Sequence, residues 1–595
     1  MVVMRQRRIW FGLLAITLLI AVLLGRLAWI QVIDTGSFTR RNIDLVGNSV
    51  AQREFGIELD SGRGQFVDRN GKPITGQTVR ALVVFPVKRP EDEFEAALHQ
   101  IGTILQADET KWTEFYRNAS VPKMWSEPGT GLPIALTDKQ AERIAALDVP
   151  GVEVMNTVRR YPADAAAKHL IGFIGENPQR IETLFAKQLM NGSLTLASRI
   201  GVSGLEKTME PYLRGVGKTS VSLFTDGAHR PLAGLDVRLV SPNNPYYPLT
   251  IGTTLDLDVQ RNVEAILERT GIASGAAVVL DAANADVVAM ASRPDFDPNR
   301  IDFEDGHWGN KALKAVTPGS IFKTVVVAAA LEEGVVRPGE TFECNGAFGK
   351  YGLRCWLHGG HGTITFEEAY AESCNVVFAK VMQRISGAKL QEVAQRLGLE
   401  RQIGWTDDRP GDGAWHQFDG EERGQVFAGK TPTEDEGVRV QTSIGQRDAL
   451  VTPLQAANLV VTLLHGGEPL RPRIVQDVRF RNGTVAHTFS GQKLTGSSPN
   501  VEPRIAKTIA GWMREVVLSG TGESLQKAKW RLAGKSGTAE TIVDGKAAVH
   551  QWFIGYGPVD KPRYAVAVVA QNEPENGANR AIAAFRDIMD ALANR

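Results

Sequence analysis

Cysteine is scarce in this sequence, which has 3 cysteines among 595 residues. Proteins that depend on disulfide bonds for stability contain many more, so a disulfide scaffold is excluded. A charge excess is also lacking, because 67 Lys and Arg residues balance 67 Asp and Glu residues. Proteins that bind nucleic-acid phosphates normally carry a basic excess, and the balance therefore argues against a nucleic-acid partner.

Long apolar runs are rare too, and the one that stands out lies near the N-terminus. Residues 9–25 contain no charged side chain, and apolar residues continue as far as Val32. Because about 20 apolar helical residues span a bilayer core, residues 9–32 are predicted to form a transmembrane anchor. A cleaved signal peptide is the alternative, which we disfavour because no small-x-small cleavage site follows Leu24.

The orientation of this anchor follows from the charges beside it. Arg5, Arg7 and Arg8 precede the apolar run, and positive residues favour the cytoplasmic side of a membrane. Residues 1–8 are therefore predicted to be a cytoplasmic tail of a single-pass membrane protein. The rest of the chain is predicted to lie outside the cytoplasm, because no second run of this kind follows.

The remaining sequence is typical of a globular protein, with 43% hydrophobic and 23% charged residues. Residues 91–105 and 138–147 show helical spacing, and residues 151–248 are broken by Gly, Pro and Asn. Residues 33–248 are therefore predicted to form an elongated α+β module. Residues 249–595 have strand patterns at both ends and helix patterns between them. This second part is predicted to be an α+β domain whose sheet pairs distant segments.

Individual elements are predicted from apolar spacing and turn residues. In the first part, a strand at Phe66 and Val67 is predicted to pair with a returning strand at 81–85, after a turn at Asn70 and Gly71. In the second part, the predictions are a strand at 254–258, a helix at 259–270, a hairpin from 276 to 291, central strands at 552–556 and 564–569, and a helix at 582–592.

A serine and a lysine three residues apart begin the candidate chemistry. Ser320 and Lys323 open an apolar segment, where Thr317 or Ser320 is predicted to cap the helix. Residues at this spacing share a helix face. Burial lowers the pKa of a lysine, and its neutral amine can then take the proton of the serine hydroxyl. The alternative is an ordinary solvated pair, since the pattern is common.

A second segment contains Ser373 and Asn375, separated by Cys374 and followed by an apolar run. A hydroxyl and a carboxamide two residues apart on a loop can point into one cleft, where one relays protons and the other binds an amide. A simple polar loop is the alternative.

A third segment contains Lys535, Ser536, Gly537 and Thr538 in a predicted strand. Its glycine permits close approach of another backbone, and its lysine and hydroxyls suit an anionic group on a bound peptide. An edge strand with a solvated lysine is the alternative.

In this order, the three segments resemble the Ser-x-x-Lys, Ser-x-Asn and Lys-Ser/Thr-Gly motifs of the penicillin-binding protein and serine β-lactamase superfamily. Nearly the whole chain is similar to class B penicillin-binding proteins. The further matching segments are Arg63–Gly64, Asp68–Gly71, Tyr161–Pro162 with His169 and Gly172, Gly201–Glu206, Asp297–Asn299, Gly445–Gln446 and Thr452–Gln455. The resemblance implies that residues 33–248 are a non-catalytic pedestal of the dimerisation type and that residues 249–595 are a transpeptidase domain.

The resemblance also implies a mechanism, that of a D,D-transpeptidase which cross-links peptidoglycan stem peptides. Ser320 would attack the penultimate D-alanine carbonyl, with Lys323 as the base. Ser373 would pass the proton to the leaving D-alanine, and Asn375 would hold the peptide amide. The backbone N–H groups of Ser320 and Thr538 would form the oxyanion hole.

The third motif would bind the terminal carboxylate, which the carboxylate of penicillin mimics, through Lys535, Ser536 and Thr538. Two positions depart from the usual family pattern. Ser536 replaces the threonine of many relatives but keeps the hydroxyl, and Arg447 stands after Gly445–Gln446 where glycine is commoner.

The implied partners are stem peptides, β-lactams as inhibitors, the plasma membrane and a membrane glycan polymerase of the shape, elongation, division or sporulation type. No cofactor and no catalytic metal are expected. No segment resembles the glycosyltransferase domain of class A relatives, so chemistry on the peptide part of the wall alone is expected. The alternative functions are a D,D-carboxypeptidase, a β-lactamase-type hydrolase, and a β-lactam sensor or scaffold.

Two other patterns have weaker support. Residues 214–219 are similar to a phosphate-binding loop, but Tyr212 occupies the position of its first glycine. The set Cys344, Cys355, His358 and His361 has the residue types of a zinc site. A Cys344–Cys355 disulfide and free thiols are the alternatives, and Cys374 is predicted to be a small packing residue.

Overall fold

The computed structural model describes residues 2–29, 54–87, 94–224, 237–409, 413–496 and 498–595. The chain divides into two compact units that do not follow chain order. The first consists of residues 1–61, 78–158 and 217–243, and the second of residues 62–77, 159–216 and 244–595. The α+β fold class is confirmed, whereas the predicted boundary between residues 248 and 249 stays a prediction.

The N-terminal helix of the first unit extends over Val2–Ala28. Within it, Gln6–Ala28 has a mean hydropathy of 2.3, and its side chains are not buried by protein. Among the residues described here, it is the one helix whose length and composition suit a membrane span. Residues 30–32 of the predicted anchor lie outside the described part of the chain.

The rest of the described part of the first unit contains two small sheets and three helices. One sheet has the strand order Glu54–Asp60, Thr219–Phe224, Arg238–Val240, and the other has the order Lys123–Met124, Gln77–Val84, Val152–Arg159. The helices are Glu95–Leu105, Glu109–Arg117 and Asp138–Ala145. The first and the third agree with the helical stretches predicted at 91–105 and 138–147, although residues 91–93 lie outside the described part of the chain, and Glu109–Arg117 lies between the two stretches. The fully buried Trp112 belongs to the apolar core that these helices share.

The second unit is organised around a five-stranded antiparallel sheet. Its order is Val287–Arg293, Gly275–Asp281, Tyr564–Glu573, Lys546–Gly557, Ala533–Val543. Neighbouring residues of one strand belong to different apolar cores, Val278 to one and Val279 to the other. Helices therefore cover both faces, which confirms the prediction of near-continuous apolar central strands.

Helices make up much of the described part of the second unit. They are Lys168–Ile171, Pro178–Leu184, Ala186–Met190, Gly204–Thr208, Glu210–Leu213, Leu257–Arg269, Lys323–Glu332, Phe366–Ala371, Asn375–Met382, Gly387–Arg396, Glu436–Ser443, Pro453–Leu464, Pro503–Leu518 and Arg580–Ala593, with 3₁₀ turns at Lys311–Leu313, Gly319–Phe322 and Glu523–Lys527. The last α-helix confirms the predicted apolar stripe at 582–592.

Smaller sheets complete the second unit. A four-stranded sheet has the order Val485–Thr488, Val475–Arg479, Thr250–Thr253, Gln65–Val67. Two-stranded sheets pair Ile174–Glu176 with Arg199–Gly201, Thr341–Cys344 with Gly362–Thr365, Thr406–Arg409 with Gly413–His416, and Leu470–Arg471 with Gln492–Lys493.

Two strand predictions were wrong. A strand was expected at 254–258, but the observed strand is Thr250–Thr253. Asp256 accepts hydrogen bonds from the backbone N–H groups of Asp258 and Val259, and a helix begins there instead. The strand Gln65–Val67 pairs in parallel with Thr250–Thr253 instead of with the segment at 81–85.

A buried ion-pair network links several of the segments that carry the resemblance. Glu206 is fully buried and pairs with Arg63 at 2.6 Å and with Arg160 at 2.6 Å. The Tyr161 hydroxyl donates to the same carboxylate at 3.1 Å. Burial alone would raise the pKa of Glu206, but the charges of Arg160 and Arg63 outweigh it and lower the pKa. These residues therefore hold the second unit together and are not arranged for catalysis.

Candidate active site

Ser320 lies in a short 3₁₀ turn, Gly319–Phe322, and the helix Lys323–Glu332 follows directly. In a 3₁₀ turn, residues three apart lie above one another, so Ser320 and Lys323 share a face. Neither element has a side-chain cap, and the capping role predicted for Thr317 or Ser320 was therefore wrong. The tight turn takes the place of a cap and leaves the serine hydroxyl available.

The 3₁₀ turn is held against the Ala533–Val543 strand by close backbone contacts. Gly319 has a φ of +56°, and a Cβ there would lie 2.3 Å from the Thr538 carbonyl oxygen. A Cβ on Gly537 would lie 2.8 Å from the Pro318 carbonyl oxygen. Only glycine fits at either position, and the close approach predicted at Gly537 is made by the 3₁₀ turn itself.

Two hydrogen bonds fix the turn further. Trp552 donates its indole N–H to the Thr317 carbonyl at 2.9 Å. Gly319 donates its backbone N–H to the Gly445 carbonyl at 2.9 Å. The backbone that leads into Ser320 is therefore held in place before any ligand binds.

The Lys323 amine joins the first two motifs. Its Nζ lies 2.7 Å from the Ser373 carbonyl oxygen, 2.7 Å from Asn375 Oδ1 and 3.2 Å from Ser373 Oγ. The side chain is completely buried, and the amine lies 5.2 Å from the centroid of the Phe378 ring. Polar groups 50 and 52 residues away from Lys323 in sequence thus meet at its nitrogen.

Burial changes the acid–base chemistry of this amine. It lowers the pKa of Lys323 from 10.5 to about 7, although the nearby Cys374 and Cys355 thiol groups act in the opposite direction. A large fraction of Lys323 is therefore neutral near neutral pH. A neutral amine has two N–H donors and one lone pair. The two contacts at 2.7 Å accept the donors, and the lone pair remains to accept a proton.

The Ser373–Asn375 segment has an unusual backbone. Ser373 has a φ of +56°, a left-handed conformation that is uncommon for serine. Asn375 then begins the helix Asn375–Met382 and donates its side-chain N–H to the Arg354 carbonyl at 3.1 Å. Strained residues of this kind persist only where the surroundings hold them, and here Lys323 supplies two of the contacts.

Lys535 lies on the Ala533–Val543 strand and is completely buried. Its Nζ lies 3.1 Å from the Ser536 carbonyl oxygen and 5.6 Å from the centroid of the Tyr370 ring. Burial and then the charge of Lys323 lower the pKa of Lys535 well below its ordinary value. An anion that binds beside this buried amine would stabilise its protonated form.

The neighbouring hydroxyls differ in exposure. Ser536 Oγ lies 2.6 Å from Thr521 Oγ1, whereas Thr538 is exposed on the strand. Sequence reasoning missed both Thr521 and Tyr370, because neither belongs to a motif. Tyr370 lies three residues before Ser373, but the amine that it faces is that of Lys535 in the third motif. The roles predicted for the motif side chains themselves stay predictions.

The three cysteines and one histidine form a cluster beside the second motif. The ligand atoms of Cys344, Cys355, His361 and Cys374 all lie within 4.8 Å of one another. All three cysteines are free, so the Cys344–Cys355 disulfide has not formed. His358, which was predicted to belong to the set, is not part of the cluster. Cys374, which was predicted only to pack, is part of it.

The donor types of this cluster suit a zinc ion, which three thiolates and one imidazole commonly bind. The hydrogen bond with Cys374 lowers the pKa of Cys355, which favours the thiolate form that binds a metal. The His361 Nε2 atom is buried and, among the described residues, has no hydrogen-bond partner. These residues are the ones that could hold a metal.

Two sequence models of known protein domains match this chain. The sequence model for the penicillin binding protein transpeptidase domain matches residues 275–590. The model for the penicillin-binding protein dimerisation domain matches residues 58–236. The two matches occur in the order that the resemblance implied.

Whole-length relatives are also found. Stage V sporulation protein D of Bacillus subtilis is 28% identical over 95% of this chain and 82% of its own. Peptidoglycan D,D-transpeptidase MrdA of Haemophilus influenzae is 25% identical over 99% of this chain and 92% of its own.

The fold has a solved counterpart. A chain from work on structural coordination of polymerization and crosslinking by a peptidoglycan synthase complex has a TM-score of 0.68 and 24% identity, with 98% of each chain covered. Because the transpeptidase model alone matches over half of the residues, this chain belongs to the penicillin-binding protein transpeptidase domain family.

Proposed function

We propose that this protein is a membrane-anchored peptidoglycan D,D-transpeptidase that acts through an acyl-enzyme on Ser320. The observation that supports it best is the buried Lys323, which follows Ser320 by one turn and contacts both Ser373 and Asn375. A serine is thus followed, one turn later, by a buried amine of lowered pKa, in a chain whose relatives include peptidoglycan D,D-transpeptidases.

In the first step, the Ser320 hydroxyl gives its proton to the neutral Lys323 amine, and Oγ bonds to the carbonyl carbon of the penultimate D-alanine. The negative charge that develops on the carbonyl oxygen is stabilised by the backbone N–H groups of Ser320 and Thr538. This pairing is supported by the glycine contact between Gly319 and Thr538, which brings the two backbones together.

In the second step, the bond between the carbonyl carbon and the terminal D-alanine nitrogen breaks. Ser373 passes a proton to the leaving nitrogen and regains one from the Lys323 ammonium, since the two side chains are 3.2 Å apart. D-alanine leaves as a neutral amine. An amine of a neighbouring stem then attacks the ester carbon and loses its proton to Lys323. The bond to Ser320 Oγ breaks, and Lys323 returns the proton to that oxygen.

Substrate orientation is assigned to the remaining motif residues. Asn375 binds the amide that precedes the scissile bond, and Lys535, Ser536 and Thr538 bind the terminal carboxylate. The contact between Ser536 and Thr521 supports this role, because it orients the Ser536 hydroxyl before substrate arrives. Gly537 permits the 3₁₀ turn to lie against the strand.

We also propose the membrane topology and the partner. Residues 1–8 lie in the cytoplasm, and residues 9–32 anchor the chain in the membrane. The pedestal of residues 33–248 and the transpeptidase domain of residues 249–595 both lie outside the cytoplasm. A membrane glycan polymerase is the proposed partner, because the solved chain of similar fold comes from a peptidoglycan synthase complex.

The test uses the full-length protein with a peptide ending in D-Ala-D-Ala as donor and a second peptide with a free amine as acceptor. Mass spectrometry should detect the cross-linked dimer with the wild type and not with Ser320→Ala. The matched control is Ser193→Ala at an exposed loop, which should form the dimer. A product that has only lost D-alanine would contradict transpeptidation and favour a D,D-carboxypeptidase.

A further inference from the structure

An exposed segment lies beside the second motif. Three contacts fasten it there: the Asn375 side-chain N–H to the Arg354 carbonyl at 3.1 Å, the Cys355 and Cys374 sulfurs at 3.9 Å, and the Trp356 indole N–H to the Glu372 carbonyl at 2.9 Å. The chain from residue 354 to residue 356 therefore lies along residues 372–375, at the edge of the site already described.

The side chains of this segment alternate in direction. Cys355 is directed into the cysteine and histidine cluster, whereas Arg354 and Trp356 are exposed. Trp356 is 57% exposed, and its ring packs edge to face with His361 at a centroid distance of 5.6 Å. Its one polar atom is already bonded, so the exposed part is an apolar surface in a fixed orientation. An aromatic face held in this way can pack on an aliphatic chain of a ligand.

Arg354 provides the charge beside this surface. Within the described ranges, no residue forms an ion pair with its guanidinium. A guanidinium is permanently positive and binds a carboxylate through two parallel hydrogen bonds. Because Arg354 is anchored through its own carbonyl to Asn375, its backbone position is fixed relative to the residue assigned to the substrate amide.

We propose that Arg354 and Trp356 form a subsite for the donor peptide, in which Arg354 pairs with a carboxylate upstream of D-Ala-D-Ala and Trp356 packs on the adjoining aliphatic chain. This rests on the proposed function. The terminal carboxylate is already assigned to the third motif, so a carboxylate near Asn375 must belong to an earlier residue of the peptide. The ligand class is therefore an anionic peptide with a side-chain or α-carboxylate before the reacting unit.

The test compares two synthetic peptides that end in D-Ala-D-Ala and differ only in the preceding residue, which carries a carboxylate or the matching carboxamide. Each competes with a fluorescent penicillin for the full-length protein, and the penicillin, whose side chain carries no carboxylate for Arg354, serves as the internal reference. The wild type should react with the carboxylate peptide about tenfold faster, the size expected for one charge-assisted contact.

Arg354→Gln should abolish this preference, so that the two peptides react at about the same rate. Arg354→Lys should retain part of it, since lysine keeps the charge but not the paired geometry. Trp356→Ala should slow both peptides relative to penicillin by about fivefold and keep the preference. The matched control, Arg337→Gln at another exposed arginine, should keep the tenfold ratio.

An unchanged preference in Arg354→Gln would overturn the subsite. Equal loss of peptide and penicillin reaction in that variant would also overturn it, because Arg354 would then only support the fold of the site. Failure of the proposed function gives a different result, which is no Ser320-dependent reaction with penicillin in the wild type.

Discussion

At the scale of single residues, the Lys323 amine determines how the site can react. Its three contacts come from Ser373 and Asn375, and burial lowers its pKa to about 7. A base with a pKa near the working pH combines a large neutral fraction with adequate proton affinity. The pH dependence of acylation should therefore report on this residue directly.

We predict that the rate of Ser320 acylation by fluorescent penicillin rises with pH and levels off above about 7. Below that pH, Lys323 is protonated and cannot accept the serine proton, so the rate should fall about tenfold per pH unit. Stopped-flow measurements between pH 5 and pH 9 check this. Lys323→Arg should not react at any of these pH values, because a guanidinium stays protonated. A rate that still climbs at pH 9 would mean an ordinary lysine pKa.

Sequence reasoning at this scale identified residues that share a motif and missed those that share only space. The spacing of Ser320 and Lys323 predicts a common face, which the 3₁₀ turn provides. No spacing connects Thr521 with Ser536 or Tyr370 with Lys535, since these contacts arise only when distant elements pack. The positive φ of Ser373 was equally unpredictable, because it depends on tertiary contacts.

At the scale of elements, the site depends on how closely the 3₁₀ turn approaches the Ala533–Val543 strand. We predict that Gly537→Ala lowers the acylation rate by at least about a hundredfold, because the new Cβ would lie 2.8 Å from the Pro318 carbonyl oxygen and displace Ser320. Penicillin labelling and thermal unfolding should be measured together.

Gly511→Ala is the matched control, since its Cβ meets nothing within 4 Å and it lies in the helix Pro503–Leu518. That variant should keep full activity and gain about 0.5–1 kcal/mol of stability from the better helix former. Equal labelling by both alanine variants would contradict the close-contact argument.

The cysteine and histidine cluster connects the Thr341–Cys344 strand to the helix that Asn375 begins. We predict that the protein, purified with zinc and under reducing conditions, retains about one zinc ion per chain. Elemental analysis checks this, and Cys344→Ser should lower the zinc content. Removal of the metal should also slow acylation, because Cys374 lies between Ser373 and Asn375. Protein that contains no zinc after this purification and is fully active would favour the interpretation as free thiols.

Elements with strong periodicity were predicted well, and those decided by pairing were not. The helices at 138–147 and 582–592 and the hairpin from 276 to 291 all formed as expected. The strand at 254–258 was wrong because Asp256 caps a helix there. The partner of Gln65–Val67 could not be predicted, because a short strand pairs with whichever edge the tertiary fold supplies.

At the scale of the whole molecule, the described residues form one apolar helix suited to a membrane and two compact units. The order of the two family matches was predictable from the motifs. The interleaving of the units was not, because residues 62–77 and 159–216 join the second unit despite their position in the sequence. Local patterns do not indicate which unit a short connecting segment will join.

The anchor makes a prediction at this scale. The full-length protein should remain in the membrane fraction after washing with high salt, because about 20 apolar residues hold it by hydrophobic insertion and not by charge. A C-terminal tag should be digested by protease added to cells whose outer layers have been removed, whereas an N-terminal tag should be protected. Protection of the C-terminal tag would contradict the proposed topology.

The central claim is acylation at Ser320, and the most direct measurement is the site of the penicillin adduct. The full-length protein should be incubated with benzylpenicillin, digested, and sequenced by tandem mass spectrometry. One adduct is predicted, on the peptide that contains Ser320 and Lys323 and attached to the Ser320 oxygen, and it should be absent from Ser320→Ala. An adduct on any other residue, or none in the wild type, would contradict the account.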